Sequence, residues 1–231
     1  MKKLKVLIID DERNAREEIK LLLKSYPDVE IIGEAKNADD AKEQIDIKKP
    51  DLLFLDIQMP EKTGFDLLES LDNVPQVIFT TAYDQYAVKA FEVSAIDYLM
   101  KPIREERFAK AMEQLKVKST KEKDDRIFVK DRQQYHFISW NEVHLIESMD
   151  NYARLFFDDK NVFLKTSLNL LEQKLDEVLF FRVNRAQIIN LNYIDKIIPL
   201  PGGKLKVLLK TGDAIEASDR QSVKLKRLVK T

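Results

Sequence analysis

Over roughly the first half of the chain, short apolar runs alternate with stretches whose apolar residues recur every three or four positions. The runs "KVLIID" (5–10), "EIIGEA" (30–35), "LLFLD" (52–56), "QVIFT" (76–80) and "AIDYLM" (95–100) predict strands. Between them lie helical patterns such as "RNAREEIKLLLKS", in which Ala15, Ile19, Leu22 and Leu23 share one face. Short strands joined by helical crossovers predict a parallel sheet covered on both sides. Five such units predict an α/β doubly wound fold with five parallel strands over residues 1–117.

The pattern stops at "VKSTKEKDD" (117–125), which is polar, charged and without apolar period, and 118–125 reads as a linker. Beyond it the period changes to two. "RIFVKD", "YHFIS", "VHLIESMD", "YARLFFDD" and "NVFLKTS" predict strands, and "IDKIIPL", "PGG" and "KLKVLLK" predict a hairpin. "LNLLEQKLDE" (168–177) predicts the clearest helix of this half, and the chain closes on a basic helical tail. Residues 126–231 are therefore expected to form a mainly β domain. Trp140, Phe156, Phe163 and Phe181 fall at alternating strand positions and are expected in its core.

Composition narrows the possibilities. With 44% hydrophobic and 34% charged residues, the 231-residue chain has a globular balance. It has no cysteine, which excludes disulfides and thiolate metal sites. No apolar run approaches a membrane span, and two acids interrupt the N-terminus before a signal core forms, so a cytoplasmic protein without membrane contact is expected. The net charge of −1 conceals an asymmetry. Residues 1–123 hold 21 basic and 25 acidic side chains, whereas 124–231 hold 18 and 15. An acidic half followed by a basic half points to separate partners, with nucleic acid a candidate for the second.

In open parallel sheets chemistry gathers beyond the carboxyl ends of the strands. Here those ends carry Asp10 and Asp11, Asp56, Thr80 and Thr81, and Lys101 before Pro102. Three clustered carboxylates raise one another's pKa unless a cation intervenes, and an all-oxygen ligand set without His or Cys favours Mg²⁺ over zinc. Each residue also has a plainer use. Asp10 or Asp11 fits a helix N-cap, Asp56 an Asx-turn, Thr81 a turn hydroxyl and Lys101 a solvated charge.

The stretches "VLIIDDE", "LLFLDIQMPEKTGFDLL", "VIFTTAYDQYAVKAF" and "AIDYLMKP" resemble the receiver domain of two-component response regulators, a flavodoxin-like fold. The resemblance implies that Asp56 accepts the phosphoryl group. It implies that Asp10, Asp11, Asp56 and the Gln58 carbonyl hold Mg²⁺. Thr81 and Tyr98 match the switch residues, Lys101 the phosphate-contacting lysine, and Pro60 and Gly64 the loop after the phosphorylation site. A sensor histidine kinase is the implied phosphodonor. The receiver catalyses only its own phosphorylation and dephosphorylation, so no enzyme of external substrates is expected.

The second half, through "VHLIESMDNYARLFF", "FFRVNRAQIINLNYIDKI" and "IEASDRQSVKLKRL", resembles the LytTR-type DNA-binding domain. By that resemblance three segments contact duplex DNA: Asn151, Tyr152 and Arg154; Asn184 and Arg185; and Ser218, Arg220 and Gln221. Arg suits bidentate guanine recognition and Asn adenine, with Ser and Tyr as phosphate contacts. Asn184 equally fits a turn and Arg154 a cross-strand ion pair. Lys224, Lys226, Arg227 and Lys230 fit either phosphate contact or a solvated helix. The combined expectation is a transcription regulator whose phosphorylation promotes homodimerisation on DNA through the surface around "YDQYAVKAFEVSAIDYL". The alternative is an RNA-binding or protein-docking output. The second half has no Gly-rich phosphate loop, G-x-S-x-G elbow or His cluster that would point to an enzymatic one.

Overall fold

Each apolar run of the first half forms a strand of one parallel sheet: β1 (Leu4–Ile9), β2 (Val29–Ala35), β3 (Leu52–Asp56), β4 (Gln76–Thr81) and β5 (Asp97–Met100). Their order is β2-β1-β3-β4-β5, with every neighbouring pair parallel. In this computed structural model the described residues are 3–82, 96–118, 125–131 and 134–228, and they group into two compact units, 1–137 and 138–231. Most of the linker (119–124), the stretch 83–95 and Lys230 lie outside the described residues.

The sheet is buried on both faces, and the two-residue period of the strands sorts their side chains between two cores. Leu7, Ile9, Leu53, Leu55, Val77 and Phe79 face α2 (Ala38–Lys48) and α3 (Gly64–Glu69). Val6, Ile8, Leu52, Phe54 and Ile78 face α1 (Arg13–Leu23) and α4 (Glu105–Lys118). The α1 stripe is as predicted for Ala15, Ile19 and Leu23, while Leu22 is half-buried. Caps fix the helix starts. Asn37 accepts the amide of Asp40 at the head of α2, and Thr63 and Asp66 form a reciprocal capping box on α3.

Strands β6 (Arg126–Asp131) and β7 (Gln134–Ser139) pair as a separate two-stranded ribbon. The sequence reading places this ribbon at the start of the second domain, yet the first unit extends to Phe137. The reason is aromatic. Phe128 is buried in the same core as Phe65 and Phe79, with Tyr135 and Phe137 packed against it. Phe65 stacks on Tyr135 at 4.6 Å and on Phe128 at 6.0 Å, and meets Phe79 edge-on at 5.2 Å. Pairs of this kind contribute about 0.5–1.5 kcal/mol each beyond their buried area.

In the second unit β8 (Val143–Met149), β9 (Tyr152–Phe157), β10 (Lys160–Leu164), β11 (Phe180–Arg182) and β12 (Gln187–Asn190) form an antiparallel sheet in the order β10-β9-β8-β12-β11. The predicted hairpin appears as β13 (Ile194–Pro199) and β14 (Leu205–Leu209), which join β15 (Ala214–Glu216) in a three-stranded sheet. Gly202 and Gly203 turn between them with φ of 78° and 84°, a region that favours glycine. Two expectations are corrected. The helix predicted over 168–177 is only α5 (Leu168–Glu172), because the chain then tightens into turns: Lys174 N donates to Leu171 O and Val178 N to the Asp176 carboxylate. Leu168, Leu171 and Leu175 nevertheless stay buried. Phe163 is 39% exposed rather than core, since on edge strand β10 Val162 takes the inward position. The basic tail forms α6 (Asp219–Leu228), with Ser222 and Leu225 buried.

His144 on β8 is buried, and its Nδ1 has no hydrogen-bond partner. Burial holds its pKa below the usual imidazole value, against the opposing pull of Asp213 (3.7 Å from Nε2) and Asp158; the rings of Phe156 and Tyr193 cover it. A folded-state pKa below the unfolded one means that the unfolded chain binds the proton first. Stability is therefore full above about pH 6.5 and falls as pH drops below that value. Thermal melts of the wild type from pH 7.5 to 5 are expected to show this loss, and His144→Phe should flatten it. Identical pH slopes in the two proteins would contradict the assignment.

Candidate functional site

The first constellation sits at the carboxyl edge of the parallel sheet, where β1, β3, β4 and β5 end side by side. Register pairs Asp56 with Thr80 and Thr81 with Met100, placing Asp10, Asp56, Thr81 and Lys101 at one level. Asp10 and Thr81 are fully buried, Asp56 is 5% exposed and Asp11 is exposed. Lys101 Nζ lies 2.7 Å from Asp10 Oδ2 and 2.8 Å from Asp56 Oδ2. One ammonium thus bridges two buried carboxylates. The peptide joining Lys101 to Pro102 is cis.

The backbone holds these groups in place. Asp10 Oδ1 accepts the amide of Glu12, and Asp56 Oδ1 accepts that of Gln58. Arg16 donates to the carbonyls of Asp10 and Asp11 and pairs with Glu34, pinning the turn after β1. Asp56 thus makes the Asx-turn weighed from sequence, whereas neither Asp10 nor Asp11 caps α1, whose N-cap is Glu12 without a side-chain bond; in Asp10 and Asp56 alike, one oxygen is used locally and the other is left at the site. Gly64 packs directly on the end of β3. A Cβ there would lie 2.4 Å from the Asp56 carbonyl oxygen, so the loop 57–64 accepts no larger residue at that point without shifting.

Burial raises the Asp10 carboxyl to about pH 6, with the Asp56 charge adding to it and Lys101 opposing. Burial likewise raises Asp56 against the pull of Lys101. For Lys101 burial acts downward, but its bonds to Asp10 and Asp56 outweigh it and the ammonium is held raised. Oxygens of Asp10, Asp11 and Asp56 lie within 4.8 Å of one another, an arrangement able to hold a metal ion. Asp10 Oδ2 is buried with the Lys101 ammonium at 2.7 Å, and Asp56 shares that ammonium, so three carboxylates face it here. A buried anionic oxygen in that state suits a hard divalent cation. Tyr98 is buried in the core that contains Phe79 and Phe65.

The second constellation joins the three segments singled out in the second half. Ser148 N, just before the first segment, donates to Ala186 O beside the second. Asn184 donates to Glu216 O, and Ser218 N donates to Val183 O, tying the second segment to the third. All three therefore reach one edge of this unit. Tyr152, Arg185, Ser218 and Arg220 are exposed there, as is Asn151.

The geometry assigns several of these residues a structural share. Asn184 is a turn residue: its amide donates to Gln187 and Glu216 O, and its Oδ1 accepts Ala186 N. Ser218 accepts the amide of Gln221 at the head of α6. Arg154 stands opposite Glu147 in register, but its Nε bonds Asn161 and its guanidinium lies 4.6 Å from the Phe156 ring centre. Of the tail cations, Lys226 donates to Gly203 O, and Arg227 is exposed.

Sequence reasoning missed Arg182. Its guanidinium donates to the carbonyls of Asn184 (2.8 Å) and Arg185 (2.5 Å) and to Asn169 and Glu172, with a side chain only 12% exposed. It clamps the loop that presents Arg185. Gln187 on β12, itself bonded to Glu147 on β8, braces the same loop. Only the run of polar residues after "FF" hinted at this.

Comparison with known proteins assigns a family to each half of the chain. A family model for the response regulator receiver domain matches residues 6–113, and one for the LytTr DNA-binding domain matches 133–230. The Sensory transduction protein LytT of Bacillus cereus is 35% identical, covering 98% of this chain and 99% of its own. LytT of Enterococcus faecalis is 36% identical over 92% and 93%, and the Transcriptional regulatory protein BtsR of Salmonella typhi 33% over 98% and 99%. The chain belongs to the LytTR family of two-component response regulators, with a receiver domain followed by a LytTR DNA-binding domain. Among the described residues no helix is long and apolar enough to cross a membrane.

Truncating a buried, charge-assisted clamp leaves carbonyls unpaired at about 1–3 kcal/mol. Arg182→Ala should therefore weaken binding to a selected duplex while leaving affinity for scrambled duplex nearly unchanged, as Arg185→Ala should. Arg220→Ala is expected to relax sequence preference by about 1–3 kcal/mol if it reads a base. Competition titrations against both duplexes separate these outcomes. Equal losses on both would assign the residues to phosphate holding.

Proposed function

We propose that this regulator is switched by phosphoryl transfer to Asp56, which pairs two receivers and so places two C-terminal units on adjacent DNA repeats. The observation that carries the reading is the Lys101 bridge between Asp10 and Asp56 at the strand ends. A carboxylate held beside a cation, with its second oxygen fixed by the Gln58 amide, is oriented for in-line attack. An Asp56 oxygen bonds to the donor phosphorus as the bond from phosphorus to the kinase imidazole nitrogen breaks. The electron pair leaves with the imidazole, which takes up a proton. Lys101 then meets the new phosphoryl oxygens, and Thr81 follows them.

Asp10, Asp11, Asp56 and the Gln58 carbonyl are the residues that would hold Mg²⁺, and the ion supplies neutralisation of the phosphoryl charge. The chemistry is self-modification: the receiver acts on its own Asp56, and no external substrate is turned over. Phosphorylation adds about −1.5 to −2 charges at the strand ends. The surface expected to pair receivers, around "YDQYAVKAFEVSAIDYL", follows the strand that carries Thr81, and its residues 83–95 lie outside the described residues. Pairing raises affinity for two repeats about 10 bp apart through effective concentration, without a new DNA contact. The setting is the cytoplasm, with a sensor histidine kinase as donor and duplex DNA as target.

Two measurements test this. Incubation with Mg²⁺ and a small phosphodonor should label wild-type protein, Asp11→Ala weakly and Asp56→Asn not at all by intact mass; equal labelling of Asp56→Asn would refute the acceptor assignment. In sedimentation with beryllium fluoride, the chain should dimerise and gain more on a two-repeat than on a one-repeat duplex. A monomer that gains equally on both would exclude pairing as the switch.

A further inference from the structure

The ribbon β6–β7 occupies a surface of the first unit that leads directly to Asp56. Its seat is made by α3 and the turn after it. Val74 N donates to Arg126 O, Asn73 Nδ2 donates to the Asp125 carboxylate at 2.5 Å, and Arg126 N donates to Asn73 Oδ1. Above these bonds lies the aromatic stack of Phe65, Phe128 and Tyr135, with Lys130 5.5 Å from the Tyr135 ring centre. The seat thus combines backbone pairing at one end with ring stacking at the other.

Phe65 follows Gly64, the residue in closest approach to the Asp56 carbonyl, and Gly64 N donates to Ile57 O. The loop between Asp56 and α3 therefore has no slack to absorb a displacement. On its other side Phe65 meets Phe79, which precedes Thr80 and Thr81 on β4. Two short routes, one through Gly64 and one through Phe79, converge on the ring that holds the ribbon.

We infer that the α3 face of the receiver is a docking surface for strands β6 and β7 of the same chain, through Arg126, Phe128, Tyr135 and Phe137, and that phosphorylation of Asp56 loosens this dock. The inference rests on the proposal that Asp56 is the phosphoacceptor. The stack is seated with Lys101 bridging Asp10 and Asp56. When Lys101 and Thr81 turn to a phosphoryl group, the backbone at Asp56 and β4 adjusts, and a tight ring contact loses registry with small shifts. Residues 133–137 lie inside the match to the DNA-binding family, so the dock engages the first strand of that match. Loosening it frees that strand from the receiver.

The test is hydrogen–deuterium exchange of the full-length protein with Mg²⁺, with and without beryllium fluoride, and with Asp56 labelling followed in parallel by a small phosphodonor. Exchange of amides in 126–137 should quicken by roughly 5- to 150-fold, the usual range of coupling between sites, and Asp56→Asn should show no change. Asn73→Ala and Tyr135→Ala should each quicken this exchange without beryllium fluoride while Asp56 still labels; Asn73→Ala, at an exposed position, serves if Tyr135→Ala does not fold. Labelled wild-type protein with unchanged exchange in the ribbon overturns the dock but leaves the phosphoacceptor reading intact. Failure of Asp56 to label overturns both.

Discussion

The Lys101 ammonium, set between two buried carboxylates, is the interaction on which the receiver's chemistry depends. Asp10 and Asp56 lie at the ends of strands whose neighbouring side chains are fully buried. Without a cation, two such charges would drive one another toward protonation, and burial already does so. Lys101 opposes that shift at both carboxylates. The same burial makes the balance sensitive, because any new charge at this edge is felt in a low-dielectric setting.

That sensitivity is useful only if the surroundings are stiff. The parallel sheet provides stiffness by burying both faces, so strand ends cannot drift independently. Gly64 adds to it by bringing α3 into contact with the backbone of Asp56. In the second unit hydrogen bonds add to the packing of a core that includes Val183, Ile189 and Leu225. Arg182, Gln187 and Glu147 hold the loop of Arg185, and Asn184 and Ser218 tie that loop to the segment before α6.

Much of this was legible in the sequence, for a definable reason. The receiver's strands are uninterrupted apolar runs ending in polar residues of few types, so period and strand-end chemistry identify Asp10, Asp56, Thr81 and Lys101 together. The interface residues of the second half have no such frame. Asn184 and Arg154 read as base contacts or as structural residues with equal ease, and only the partners of their side chains show the structural share. Arg182 was invisible because its bonds go to main-chain carbonyls, which leave no trace in residue type. The helix over 168–177 has the correct leucine period, but period says which residues are buried, not whether the backbone remains helical. The ribbon's place in the first unit was likewise hidden, since apolar character marks Phe128 and Tyr135 for burial but not which core they enter.

The coupling between Asp56 and the ribbon must act in both directions. If phosphorylation weakens the dock by a given factor, then a docked ribbon disfavours the phosphorylated form by the same factor at equilibrium. Rings stacked on Phe65 thereby oppose the rearrangement at Asp56, and the chain carries its own restraint on spontaneous activation. Anything that draws residues 133–137 away from α3 would relieve that restraint. DNA is one candidate, because the strand it would engage belongs to the DNA-binding match. Occupancy of DNA would then favour the phosphorylated receiver without touching Asp56. The equilibrium factor is the same from either end, so phosphorylation and DNA binding would each strengthen the other.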